Sequence, residues 1–459
     1  MTVTGFVRCR PYAAAVAAML AWTVPCAAHA ADDHHSAEHR APVARDAGAD
    51  DGVFRGAQAL ERSALVAAVL ERNSTIAAAR ASWRAAQAKP AQARALDDPM
   101  LSYSIAPASI GASGVDFGQV VDFSQRFPFP GKRALRDEAA SAEANAMGDD
   151  FESTRRDIAL TASTLFDDYF VATRSLEIKN ELGRLLEGLA RTSRASYVAG
   201  NSPQYGLIRI DVEQTHVEHD RIMLESDREV VESRINALLH RGPAAPLPPP
   251  PARMQTLGRA DVSLDALEHE ARERSEVAAA DARVEAAKAS ADGARREYFP
   301  DFGAGATYNS MWADSEHRFM LGVSINVPLQ LGRRRAEVDE AEAEVIRRRS
   351  ERDALVDRLS AEVEAAHHQL VAADHIVSLY DARMVPAARS RVSSVRAAFE
   401  SGQADFDTLI EAERELRDTQ LAAVNALADR NRRYAELERT VGRIPGTGET
   451  AAAAAGDRP

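Results

Sequence analysis

The chain has 459 residues, 45% of them hydrophobic, and a formal net charge of −13. That much apolar material excludes wholesale disorder, and the acidic balance argues against a nucleic-acid binder, which needs a basic face. Aromatic residues make up only 6%, low for a β-sandwich or a ligand-pocket enzyme, and the abundant alanine instead favours long, closely packed helices.

Residues 1–30 read as an export signal: Arg8 and Arg10, an apolar run over 12–24, then Ala28-His29-Ala30. Removing it takes two cations and no acid, so the exported chain is more acidic still. Cys9 and Cys26 are the only cysteines and both lie in this segment, which leaves the exported chain without disulfides or thiolate metal sites. Cys26 stands where a bacterial lipoprotein keeps its lipidated cysteine, although Pro25 precedes it where a small residue is expected. Residues 31–52 form a tail with the composition of disorder. In it His34, His35 and His39 neighbour Asp32, Asp33 and Glu38. Imidazole and carboxylate suit Zn, Ni or Cu, and a solvated acidic tail explains the same residues. No later stretch approaches the ~20 apolar residues of a spanning helix. Short, alternating barrel strands remain open.

The chain repeats itself. Tyr197-x-x-Gly200-Asn201 with Leu207-Ile208 returns as Phe399-x-x-Gly402-Gln403 with Leu409-Ile410. Pro99 returns as Pro300, Ser124 and Pro128 as Ser324 and Pro328, and Gly131-Lys132-Arg133 as Gly332-Arg333-Arg334. Five landmarks in one order, drifting by two residues, define two copies of one unit. The first copy spans 53–241 and the second 261–445. A Pro-rich linker over 242–260 cannot be helical and joins them. Residues 446–459 form a second disordered tail.

Each copy follows one plan. Helical segments over about 60–95 and 261–297 come first. Period-two alternation then predicts strands over 99–108 and 115–127 in copy one, and over 300–309 and 317–328 in copy two. Long helices follow over 132–198 and 333–400, the second interrupted only by Pro386. A 67-residue helix is a rod about 100 Å long. Each ends near a glycine, Gly200 or Gly402, the usual residue just past a helix end. Returning helices occupy 203–240 and 404–441, so the helices pair as antiparallel coiled coils.

Four strands cannot close a barrel, and lipid does not tolerate an open sheet edge. About eight strands are the minimum, so at least two chains must combine, and three would give twelve strands. The fold class expected is therefore an α+β membrane protein. Its long antiparallel helices form an α-barrel, and its four strands complete an oligomeric outer-membrane β-barrel.

On the two-fold repeat, the two turn motifs and Phe127-Pro128-Phe129-Pro130-Gly131-Lys132, the sequence resembles the TolC family of outer-membrane efflux proteins from about 55 to 444. The last motif is similar to its heavy-metal branch, the CusC/CzcC-like proteins. The resemblance implies a homotrimer with a twelve-stranded barrel in outer-membrane lipid and a helical tunnel in the periplasm. The tunnel docks on a periplasmic adaptor, a membrane fusion protein, and through it on a proton-driven inner-membrane pump of the resistance-nodulation-division type. No cofactor is implied. The turns at 199–206 and 401–406 become the periplasmic tip. Tyr197 and Phe399 join the closure network, and Glu411, with Asp405 and Asp407, joins an acidic aperture ring that attracts cations. Gly200, Asn201, Leu207, Gly402, Gln403 and Leu409 become adaptor-contact positions. Two departures stand out: Ala404 replaces an arginine of some relatives, and Thr408 occupies one aperture acid position.

His367, His368 and His375 lie on a long helix and read as lining residues rather than ligands. No catalytic motif is present: there is no Gly-x-Ser-x-Gly elbow, and His269-Glu270 lacks a second histidine. The functional expectation is a passive exit duct for heavy-metal cations. The same duct for organic toxicants or type I protein secretion is the closest rival. A periplasmic structural coiled-coil protein is the rival of a different class.

Overall fold

The computed structural model describes residues 52–111, 117–199, 204–258, 263–312 and 314–446. Three short helices open this part: α1 (Arg62–Arg72), α2 (Ser74–Gln87) and α3 (Lys89–Ala93). The break between the first two is set by Asn73, whose side-chain oxygen accepts from the N–H groups of Thr75 and Ile76. Such a side chain competes with helix continuation and starts a new helix instead.

Strands β1 (Met100–Ile105) and β2 (Gln119–Phe127) follow, then the helices α4 (Lys132–Val198) and α5 (Tyr205–Leu238). The second half continues in the same order. Helices α6 (Leu264–Arg272) and α7 (Ser275–Arg296) lead to strands β3 (Asp301–Asn309) and β4 (Phe319–Asn326). Helices α8 (Leu331–Leu379), α9 (Val385–Glu400) and α10 (Phe406–Thr440) close the chain. Among the described residues no helix is long and apolar enough to cross a membrane.

The second long helix differs from the uninterrupted rod expected up to Pro386. Residues Tyr380–Met384 form one π-helical turn between α8 and α9. Pro386 has no N–H to donate to the carbonyl four residues back. The wider turn immediately before it absorbs that defect, with Val385 N–H reaching Tyr380 O.

The strands pair antiparallel in the order β1-β2-β3-β4. Tyr103, Val121, Tyr308 and Phe319 lie in one row, and Leu101, Phe123, Ala306 and Leu321 in another. The intervening rows carry Ser102, Asp122, Thr307 and Met320, and Met100, Ser124, Gly305 and Gly322. Because side chains alternate across a sheet, one face is apolar and the other mostly small or polar. On the polar face Thr307 donates to Asp122 Oδ2 at 2.6 Å. The apolar face is not covered: Leu321 and Val323 remain 79% and 86% exposed.

The helices bury their apolar seams in several clusters. The largest joins α1, α4 and α5 through Leu65, Val69, Phe166, Tyr169 and Ile235. Inside it the Arg62 guanidinium bridges both carboxylate oxygens of Asp167 and the Ser163 hydroxyl, and lies over the Phe166 ring. Sheet and helices meet at one junction. Lys132 Nζ, almost fully buried, donates to Glu297 Oε2 and Asp301 Oδ1, each at 2.9 Å, and to Phe299 O at 3.1 Å. Phe129 stacks on Phe299 with centroids 4.6 Å apart.

Candidate functional site

The end of α9 and the start of α10 form a compact turn. Gly402 has φ +75. Its N–H bonds to Phe399 O, and that of Gln403 to Ala398 O. This paired closure satisfies the last carbonyls of α9 and favours a residue without a Cβ at position 402. Two residues later Asp405 caps α10. Its Oδ1 accepts from Thr408 N–H at 2.9 Å and from the Thr408 hydroxyl at 2.5 Å. Those two bonds hold the Asp405 carboxyl below its ordinary value. Thr408, which stands where an aperture acid was expected, therefore favours the ionised form of Asp405.

Phe399 meets Phe406 edge-on across the turn, with centroids 5.9 Å apart. Phe406 packs in turn against the cluster of Leu182, Leu186, Ile210, Val217 and Ile410, which joins α4, α5 and α10. Asp407 is half-buried, and its Oδ1 finds no partner among the described residues. Glu411 is exposed. Asp405, Asp407 and Glu411 thus lie at the start of one helix, the first engaged as its cap and the other two without a hydrogen-bond partner among the described residues.

The expected contact residues differ in exposure. Leu409 is buried, only 4% exposed, so it packs inward and presents no contact surface of its own. Leu207 is half-buried, whereas Gly402, Gln403, Tyr197 and Ile208 are exposed. Gly200, Asn201, Cys26, His34, His35 and His39 lie outside the described residues. His367 and His368 stand ring to ring at 5.8 Å. No cluster of three or more metal-ligating side chains exists among the described residues.

Sequence reasoning missed the charged ties just above this tip. Lys179 of α4 reaches Asp220 of α5 at 3.0 Å and Asp418 of α10 at 4.0 Å. Arg414 lies 3.8 Å from Glu213 of α5, and Arg417 lies 3.7 Å from Glu181 of α4. Glu413 is buried and paired with Arg396 of α9. The widest of these pairs, Lys179 with Asp418 and Arg417 with Glu181, lie well over two hundred residues apart in sequence, and nothing in a local pattern marks them.

The fold sets an uncovered apolar sheet at one end of long paired helices. Residues 267–443 match the family model described as outer membrane efflux protein. Over that stretch, which is less than half of the chain, the sequence is similar to this family of outer membrane proteins. No curated protein matches it by sequence. Among solved structures it is similar in fold to CusC, at TM-score 0.72 and 18% identity over 84% of this chain and 93% of that one. It is similar to the outer membrane protein VceC of Vibrio cholerae, at TM-score 0.70 and 18% identity over 83% and 96%. The CmeC outer membrane channel of Campylobacter jejuni gives TM-score 0.71 at 12% identity over 86% and 88%.

Proposed function

We propose that three copies of this chain form the exit duct of a tripartite efflux system for heavy-metal cations. The single observation that carries the duct is the sheet. It has one uncovered apolar face, one polar face, and outer strands β1 and β4 that each leave one edge unpaired among the described residues. In lipid those edges must be paired. Joining β4 of one copy to β1 of the next closes three four-stranded sheets into twelve strands, within the range of outer-membrane barrels. The apolar face then meets lipid and the Asp122 face lines water. The two halves act as repeats of one unit, and their helices continue the wall as a tunnel. Its tip carries the aperture acids and, at the exposed turn positions, the adaptor contacts. Transport energy comes from the pump beyond the adaptor, so the duct itself is passive.

The metal cargo is supported by the motif Phe127 to Lys132, by the acidic tip and by the fold likeness to CusC. The test is a clean deletion strain challenged with Cu, Ag, Zn, Co, Cd and Ni, and with dyes and antibiotics, while cell metal content is measured. Accumulation of one metal group, reversed by the gene, is the expected result. Normal metal handling with dye or antibiotic sensitivity reassigns the cargo to organic compounds. Light scattering in detergent tests the duct separately: a trimer is expected, and a detergent-independent monomer would leave a structural coiled-coil protein.

A further inference from the structure

We propose that the periplasmic rim of the sheet is a docking surface for anionic phospholipid headgroups, centred on Arg333 and Arg335; this rests on the barrel reading above. The apolar alternation of β4 does not stop with the strand. Ile325, Val327, Leu329 and then Leu331 continue it, each more than half exposed, with Leu329 at 83%. Directly after this stripe come Arg333, Arg334 and Arg335 at the start of α8. An apolar stripe that ends in arginine is the arrangement of a membrane–water boundary, with hydrocarbon on one side and phosphate on the other.

The charges at this rim are only partly neutralised within the protein, where Arg334 also lies near the Glu297 and Asp301 carboxylates. Arg333 Nε and Arg334 Nη1 each donate to Glu337 at 2.8 Å, so two guanidiniums share one carboxylate. Arg335 has no acidic partner among the described residues. The first turn of α8 contains no acid, although a helix start favours acids and disfavours cations. At the same end of the sheet Arg133 donates to Arg94 O and Arg296 to Pro130 O. A backbone carbonyl satisfies donors but leaves their charge in place. All this occurs in a chain of net charge −13, so the positive rim runs against the overall balance. Guanidinium matches phosphate in a planar, two-point geometry, and basic residues beside a membrane favour anionic lipid. A zwitterionic headgroup carries the same phosphate but brings its own ammonium into a cationic rim.

The full chain, purified and delipidated in detergent, is melted with added phosphatidylglycerol, cardiolipin, phosphatidylcholine or inorganic phosphate. The anionic lipids are expected to raise the midpoint by about 3 °C or more, phosphatidylcholine and inorganic phosphate by far less, and high salt should reduce the gain. The double variant Arg333→Gln/Arg335→Gln should lose the gain while remaining a trimer by light scattering. Glu337→Gln, which frees both guanidiniums, should enlarge it. An equal response to phosphatidylcholine, a full response to inorganic phosphate, or an undiminished response in the double variant would overturn the proposal. Absence of a trimer in the wild-type protein would instead overturn the barrel reading.

Discussion

Lys132 and Asp301 meet at 2.9 Å across the point where the sheet gives way to the helices, although 169 residues separate them in sequence. The same Asp301 oxygen accepts the N–H of Phe129 at 2.9 Å. One carboxylate from the second half of the chain thus fixes the start of α4 and the end of β2 in the first half. The junction transmits the position of the strands to a helix of 67 residues, so a small error here is multiplied along the rod.

Replacing Lys132 by methionine keeps the volume and removes the charge. Asp301 then loses its buried cation, and Glu297 keeps only Arg136 at 3.6 Å. Breaking such a pair costs about 2–4 kcal/mol, toward the low side of fully buried cases because both acids keep some solvent contact. Thermal unfolding in detergent should show a lower midpoint for Lys132→Met. An unchanged midpoint would show that packing of Phe129 on Phe299 holds the junction by itself.

Two glycines should differ in their tolerance of alanine. Gly131 has φ +94, and a Cβ there would run into the Arg296 guanidinium; Gly402 has φ +75 with open space around it. Both substitutions incur the left-handed backbone cost of about 1–2 kcal/mol. Only Gly131→Ala also displaces Arg296 from Pro130 O. Chemical or thermal denaturation should therefore rank Gly131→Ala as the more destabilising. Gly402→Ala should act locally, seen as faster hydrogen exchange at residues 398–403.

Much of this architecture is written in local patterns. The rows through Tyr103 and Leu101 coincide with period-two alternation, because a sheet with only one apolar face leaves that trace in sequence. A proline-free run and the following turn mark α4, because proline and glycine act through the backbone alone. The π turn before Pro386 was not legible, since proline can end, kink or widen a helix and the outcome depends on what packs nearby. The tip was legible only in part. Phe399 and Asp405 could be picked out, but not that Asp405 is held by Thr408, nor that Leu409 turns inward. Those facts depend on α4 and α5, which approach from the other half of the chain.

Glu276, at the start of α7, should contribute a pH-dependent share of stability. Burial works against its charge. Hydrogen bonds from Arg274, the charge of Arg274, the residue's own N–H and the Ser153 hydroxyl outweigh burial and hold the carboxyl at about 2. In the unfolded chain a glutamate titrates near 4.3. The folded value is depressed, so the stabilisation is fully present above that unfolded value and is lost as pH falls from there toward about 2. At neutral pH it amounts to about 3 kcal/mol. The midpoint difference between wild type and Glu276→Gln should be constant from about pH 6 to 7 and shrink on acidification through this window. A difference that does not change with pH would assign the effect of Glu276→Gln to geometry rather than charge.

The tip separates charge from structure unusually cleanly at Asp405. Asparagine caps a helix about as well as aspartate, so Asp405→Asn removes a charge and keeps the bond to the Thr408 N–H. Asp405→Ala removes both, and should loosen the first turn of α10. Asp407 has no cap to lose, so Asp407→Asn changes charge alone. In a three-fold assembly each of these acids is presented three times around the aperture, and a ring of carboxylates raises the local concentration of cations. The double variant Asp405→Asn/Asp407→Asn should shift the reversal potential in planar bilayers toward lower cation preference, with thermal stability unchanged. If Asp405→Ala alone alters conductance and the double asparagine variant leaves selectivity untouched, these acids shape the turn and the selective ring lies elsewhere, with Glu411 the next carboxylate along the helix.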